Sequence, residues 1–110
     1  MVKIIRTRGF DRDLRRIGAT ARDFDALVAD LITNPEAGDH IVGLKGVRKI
    51  RFGLPSRRIG KSGGGRAIYL AIATRDALVL LMAYAKNEKA DLTADDRKAL
   101  LRIIAALMED

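Results

Sequence analysis

Four consecutive segments, VRKIRFGL (47–54), PSRRIGKSGGG (55–65), RAIYLAIAT (66–74) and ALVLLMAYAK (77–86), decide how this chain folds. In the first, Ile50 and Phe52 fall on one side and Lys49 and Arg51 on the other, the period of two that marks a half-buried strand. The second is a loop by composition, opening on Pro55 and closing on Gly63, Gly64 and Gly65. The third and fourth carry near-continuous apolar runs (Ile68, Leu70, Ile72; Val79, Leu80, Leu81, Met82), which predict a sheet largely covered on one side. Only Arg75-Asp76 separates them. Three strands with such short connections predict an antiparallel meander.

Upstream, Val2 to Arg8 reads as a first strand broken by Gly9. Phe10, Leu14 and Ile17 fall at i, i+4 and i+7, the stripe of a short helix ending at Gly18. Thr20 is an N-cap for a second helix, with Asp23 in the first turn, where an acidic side chain is favourable. Phe24, Leu27, Val28, Leu31 and Ile32 form an apolar face at i, i+3, i+4, i+7 and i+8, and Asn34-Pro35 ends the helix. Pro35 to Gly46 is turn-rich. Downstream, Thr93 caps a last helix with Asp95 and Asp96 in its first turn and Leu100, Leu101, Ile103, Ile104, Leu107 and Met108 apolar. The expected fold is α+β: an N-terminal strand and helical hairpin packed on an antiparallel sheet, then a C-terminal helix. Residues 1–110 are expected to form a single domain, with one layer of helices on one sheet.

At 110 residues, 48% apolar and 32% charged, the composition suits a folded chain. The absence of cysteine excludes disulfides, Cys-ligated zinc and thiol catalysis, and the lone histidine, His40, excludes any mechanism needing two. No metal and no cofactor are expected. The net charge of +7 is unevenly placed: from His40 to Arg75 there are nine basic residues and no acidic one. The rest of the chain is slightly acidic, so a polyanion would be met in the middle third. Met1 to Arg6 has no apolar signal region, and the apolar run from Ala77 to Ala85 is too short to cross a bilayer. A cytoplasmic protein with no membrane partner is the expectation.

Gly60-Lys61-Ser62 invites a phosphate-binding P-loop reading, but the first glycine of that motif would fall on Pro55, and the segment joins two strands instead of opening a helix. Lys49 and Arg51 share a strand face, Arg66 begins the next strand, and Tyr84 and Lys86 share a face of the last. Five groups thus have the parity to converge on a face left uncovered by helices. The plainer alternative is a solvated charged face, and for His40 an exposed or structural loop residue.

GVRKIRF (46–52), GKSGGGRAIY (60–69), YAKNE (84–88) and DLT (91–93) together resemble the RelE superfamily, and more narrowly its HigB-type toxins of bacterial type II toxin–antitoxin systems. The resemblance covers nearly the whole chain. It implies a ribosome-dependent mRNA endonuclease (an mRNA interferase) silenced by a cognate antitoxin, often one with a helix-turn-helix DNA-binding domain. Carried over from the family, the catalytic cations are Lys49, Arg51 and Arg66. An arginine after the last strand and a tyrosine near the C-terminal segment are also used by the family, where this chain has Asn87 and Leu92; Tyr84 and Lys86 are the candidate substitutes.

Such a reaction needs no metal, because RNA carries its own 2′-OH nucleophile. A base, cations for the phosphate charge and an acid for the 5′-oxygen suffice, giving a 2′,3′-cyclic phosphate and a 5′-OH. With one histidine, lysine is the available base, and a surround of like charges favours its neutral amine. Arg66 suits a planar clamp on the phosphate, Arg51 adds charge, and Tyr84 orients or donates a proton. Lys45, Arg48, Arg57, Arg58, Lys61 and Arg75 are expected to hold RNA or the ribosome. The alternatives are a toxin of this fold acting on another target, as the ParE branch does on DNA gyrase, and a non-catalytic basic RNA-binding module.

Overall fold

The structure, a computed structural model, describes residues 2–109. The chain begins with β1 (Lys3–Arg6), then Thr7 caps α1 (Arg8–Ile17) by accepting from the Phe10 amide. Gly18 ends α1 in the left-handed conformation at φ 74°, which glycine adopts without strain. Thr20 and Asp23 form a reciprocal capping box at the start of α2 (Ala21–Thr33), and Asn34 closes it. After β2 (Asp39–His40) come β3 (Val47–Phe52), β4 (Gly65–Ile72) and β5 (Ala77–Ala85). A second capping box, Thr93 with Asp96, starts α3 (Ala94–Leu107). Single 3-10 turns at Pro55–Arg57 and Ala73–Arg75 occupy the two hairpin connections.

The five strands form one sheet in the order β1-β5-β4-β3-β2. From β2 to β5 every pairing is antiparallel, as the meander predicts, whereas β1 joins β5 in parallel, Lys3 opposite Ala77 and Arg6 opposite Leu80. The Val2–Arg8 strand is therefore shorter than expected, because Thr7 and Arg8 are taken by the cap and first turn of α1. β2 was not foreseen: two residues give no periodicity to read.

Both faces of the sheet are covered, in place of the single helical layer expected. On one side Phe10, Leu14 and Ile17 of α1 and Leu27 and Leu31 of α2 pack on Ile50, Phe52, Tyr69, Leu78 and Leu80. On the other, Leu100 of α3 joins Val47, Ile68, Leu70, Val79, Leu81 and Tyr84, with Ile41 and Leu44 closing the end. The apolar runs of β4 and β5 follow from this, since every second residue faces a different layer. A register shift between Ile68 and Tyr69 leaves Leu81 of β5 without a partner on β4, so Leu81 and Met82 both face the α3 side and the alternation of β5 reverses there. α3 buries only Leu100 completely, and Leu101 and Met108 stay exposed. It shelters part of its face and leaves the β3 end of that face open. Among the described residues no helix is long and apolar enough to cross a membrane.

Candidate functional site

Register places the candidate cations in two rows on the α3 side of the sheet. Arg51 of β3 stands opposite Arg66 of β4, and Arg66 opposite Tyr84 of β5. One step along, Lys49 stands opposite Ile68, with Asp39 of β2 on its other side. Lys49, Arg51 and Arg66, with Asp30, Asp39 and Lys61, line one open cleft of about 730 Å³. The parity argument thus brings three of its five groups together at an accessible place.

Each of the three is held differently. The Arg66 guanidinium donates to the carbonyl of Gly65 at 3.0 Å and lies 3.5 Å from those of Lys61 and Ser62, so the glycine loop aims it. Lys49 Nζ donates to Asp91 Oδ1 at 3.4 Å. Arg51 is exposed. Asp91 also accepts from the Leu92 amide at 2.8 Å; that bond, above all, holds its carboxyl below the usual range against the opposing effect of burial, with Lys49 adding to it.

The surround of Lys49 is therefore mixed in charge, not uniformly cationic, which removes the premise on which its neutral amine was expected. Lys61 is paired in turn with Asp30 at 3.0 Å, and Lys89 with Asp96 at 2.7 Å. The carboxylates around the cations come from α2 (Asp30), the β2 edge (Asp39), the segment after β5 (Asp91) and the first turn of α3 (Asp96). No linear count of charge reveals them; only Asp39, next to the basic block, was within reach of a hairpin argument. Asp39 arrives there because the Tyr69 hydroxyl bonds Pro35 O and the Gly38 amide, bringing the end of α2 down onto the sheet.

Tyr84 departs from expectation. Its parity is right, but α3 covers it: it is fully buried, and its hydroxyl has no hydrogen-bond partner among the described residues. Burial pushes the phenol pKa up, the Asp91 carboxylate adds to this, and Arg66 opposes it. Lys89 lies over its ring at 5.2 Å. It floors the cationic row and does not stand at an open face. Lys86 follows the end of β5, exposed, in a smaller cleft with Arg66, Asn87 and Lys89. Leu92, at the family's tyrosine position, is half-buried against the α3 core.

The six expected docking cations separate. Arg48 lies on the opposite sheet face from Lys49 and bonds the carbonyls of Gly38 (2.6 Å) and Glu36 (3.0 Å) and the His40 ring (3.1 Å). Arg57 donates to the Ile17 carbonyl at the end of α1. Both therefore hold the fold, and His40 belongs to the Arg48 cluster. Lys45 and Arg75 are exposed beside the Val47–Ile72 end of the sheet, whereas Arg58 and Lys61 belong to the loop at the Phe52–Gly65 end. Among the described residues no group of three or more His, Cys, Asp or Glu is placed to hold a metal ion.

No protein-family model matches the chain. Solved structures do. The free mutant form of the E. coli toxin RelE superposes with a TM-score of 0.58 at 16% identity, covering 93% of this chain and 97% of that one. The intact E. coli RelBE toxin–antitoxin complex gives 0.57 at 17% identity, over 77% of this chain and 96% of that one. A conserved hypothetical protein from Helicobacter pylori gives 0.54 at 23%, over 80% and 98%. The superposition on free RelE runs over nearly the full length of both chains, so this chain has the fold seen in the RelE toxin structures.

Proposed function

We propose that this chain is the toxin of a type II toxin–antitoxin system, an mRNA endonuclease that acts on translating ribosomes and is silenced by a cognate antitoxin. The observation that carries the reading is the convergence of Lys49, Arg51 and Arg66 on one open cleft of a RelE-type fold. A complex of RelE with its antitoxin shares that fold, which supports the partner. The GVRKIRF and YAKNE segments favour the HigB-type branch and an antitoxin of the helix-turn-helix kind.

In the proposed reaction the RNA 2′-oxygen bonds to the adjacent phosphorus while the bond from phosphorus to the 5′-oxygen breaks. The 2′-proton goes to a base and the 5′-oxygen takes a proton, leaving a 2′,3′-cyclic phosphate and a 5′-OH. Arg66, aimed by the loop carbonyls, and Arg51 opposite it hold the phosphate charge. Lys49 is the third cation of the cleft, and the incoming phosphate takes the place of Asp91 beside it. Lys86 reaches the same phosphate row from the far side of Arg66. Tyr84, buried, takes no proton-transfer role in this scheme.

The test is expression under tight control, with mRNA ends mapped during translation and after translation is blocked. Cuts phased to codons that vanish without translation are expected. Arg66→Ala and Lys49→Ala should each slow single-turnover cleavage about 100-fold or more. Undiminished rates in both variants overturn the site; DNA damage without RNA cuts indicates a gyrase-directed toxin, and neither effect a binding module.

A further inference from the structure

Half of β5 lacks a strand on its outer side. β1 pairs only with Ala77–Leu80, so among the described residues the edge from Leu81 to Ala85 has no strand partner there. An open edge of this kind exposes backbone groups that must be satisfied. Side chains do this work. Thr7 Oγ1 donates to the Leu80 carbonyl at 2.8 Å, and the Ala83 amide donates to Asp13 at 2.9 Å. Arg16 Nη2 donates to the Ala83 carbonyl at 3.0 Å. The Ala85 amide donates to Glu88 Oε1 at 2.8 Å.

Arg16 and Glu88 are also joined to each other. Nε and Nη2 of Arg16 donate to the two carboxylate oxygens of Glu88, both at 3.0 Å, a planar two-pronged pair. Asp13 holds the same guanidinium from within α1. The Glu88 carboxyl is held below its usual range by Arg16 first and by the Ala85 amide next. On the inner side, the Lys86 amide donates to the Gly64 carbonyl at 2.9 Å. Residues 83–88 are thus strapped between α1 and the glycine loop that aims Arg66.

We infer that Arg16 and Glu88 are positioning residues, whose two-pronged pair holds Lys86 and Asn87 beside Arg66. This rests on the reading of the cleft as an RNA-cleaving site. Neither side chain lines the cleft that holds Lys49 and Arg51, so their effect passes through the 83–88 segment. Geometry of this kind acts on the rate of the bound complex more than on affinity, because a shift near 1 Å in a reacting group can cost about 100-fold.

The experiment uses the full chain and ribosomes programmed with a defined mRNA. Glu88→Gln, close in shape but uncharged, and Arg16→Gln should each lower the single-turnover rate at saturating ribosomes about tenfold or more. The half-saturating concentration should stay within about twofold. Exchange of the Ala85 and Lys86 amides should quicken, and the Arg66 Nε–H resonance should move. The Arg16→Glu/Glu88→Arg exchange should recover part of the rate.

Asp11→Asn is the control. It breaks the Arg6–Asp11 pair of β1 and α1, whose side chains are 43% and 35% exposed against 45% and 33% for Arg16 and Glu88. It should alter none of these readouts. Wild-type rates in both Gln variants overturn the inference, whether or not the amides loosen. If the wild-type chain cleaves no mRNA, the functional reading fails, and an unmoved Arg66 resonance in Glu88→Gln then also overturns the clamp.

Discussion

Asp23 shows how one residue joins two distant parts of this chain. It is the one charged residue fully buried among those described. Its carboxylate accepts from the Thr20 amide at 2.9 Å, the Ser56 amide at 2.9 Å and the Ser56 hydroxyl at 2.6 Å. Burial opposes its ionisation, but the bonds from Ser56 and Thr20 outweigh that and leave its pKa lowered. A folded pKa below the unfolded value of about 3.9 means stabilisation that is complete above that pH. It is lost as pH falls through the folded value. Asp23→Asn should therefore lower stability at pH 7 by about 1–3 kcal/mol and flatten its decline below about pH 4. Urea unfolding at pH 7 and at pH 3 and below checks this; an unchanged midpoint at pH 7 refutes it. The cap on α2 was legible, because Thr20 and Asp23 are neighbours in sequence. Ser56, 33 residues on, was not. Tyr84 teaches the same lesson: its strand parity could be read, but its burial depends on where α3 lands.

At the scale of elements, the glycine loop before β4 looks uniform in sequence and is not so in space. A Cβ at Gly64 would overlap the Phe52 carbonyl oxygen, and one at Gly65 would press on the Phe52 ring at 2.6 Å. At Gly60 it would meet nothing. Gly64→Ala should therefore destabilise by about 1–3 kcal/mol, while Gly60→Ala stays within about 0.5 kcal/mol or stabilises slightly. Thermal melts of the two variants decide this, and equal melting temperatures count against the close approach. The loop's role is thus to let two backbones touch at the β3–β4 hairpin, so that Arg66 starts its strand at a fixed point. The three meander strands and both helix caps were readable because their signals are local, a period of two and a hydroxyl three residues ahead of an acid. The parallel docking of β1 and the second helical layer were not. Both are set by partners about 70 residues away or on the far face of the sheet.

Over the whole molecule, the acid-free block does not make one continuous cationic surface. Folding brings Asp30, Asp39 and Asp91 into it, turns Arg48 and Arg57 to structural tasks, and sends the remaining cations to opposite ends of the sheet. β4, with eight residues, spans roughly 26 Å at about 3.3 Å per residue. A trinucleotide seated at Arg66, near the Gly65 end of that strand, is too short to touch both ends. For such an RNA, Arg58→Ala/Lys61→Ala should reduce the slope of log affinity against log salt by about 0.7 per lost phosphate contact. Lys45→Ala/Arg75→Ala should leave it unchanged; equal slopes in the two double variants would contradict the division. The parallel pairing of β1 with β5 has a consequence for the birth of the molecule. The first strand to be synthesised must wait for the last, and Phe10 and Leu14 find Leu80 and Ala83 only once most of the chain exists. Closing so long a loop is slow, and a nascent chain halted before Ala77 has no partner for its N-terminal strand. Truncated translation products therefore lack the α1 core, and with it the scaffold on which the Lys49–Arg51–Arg66 cleft is built.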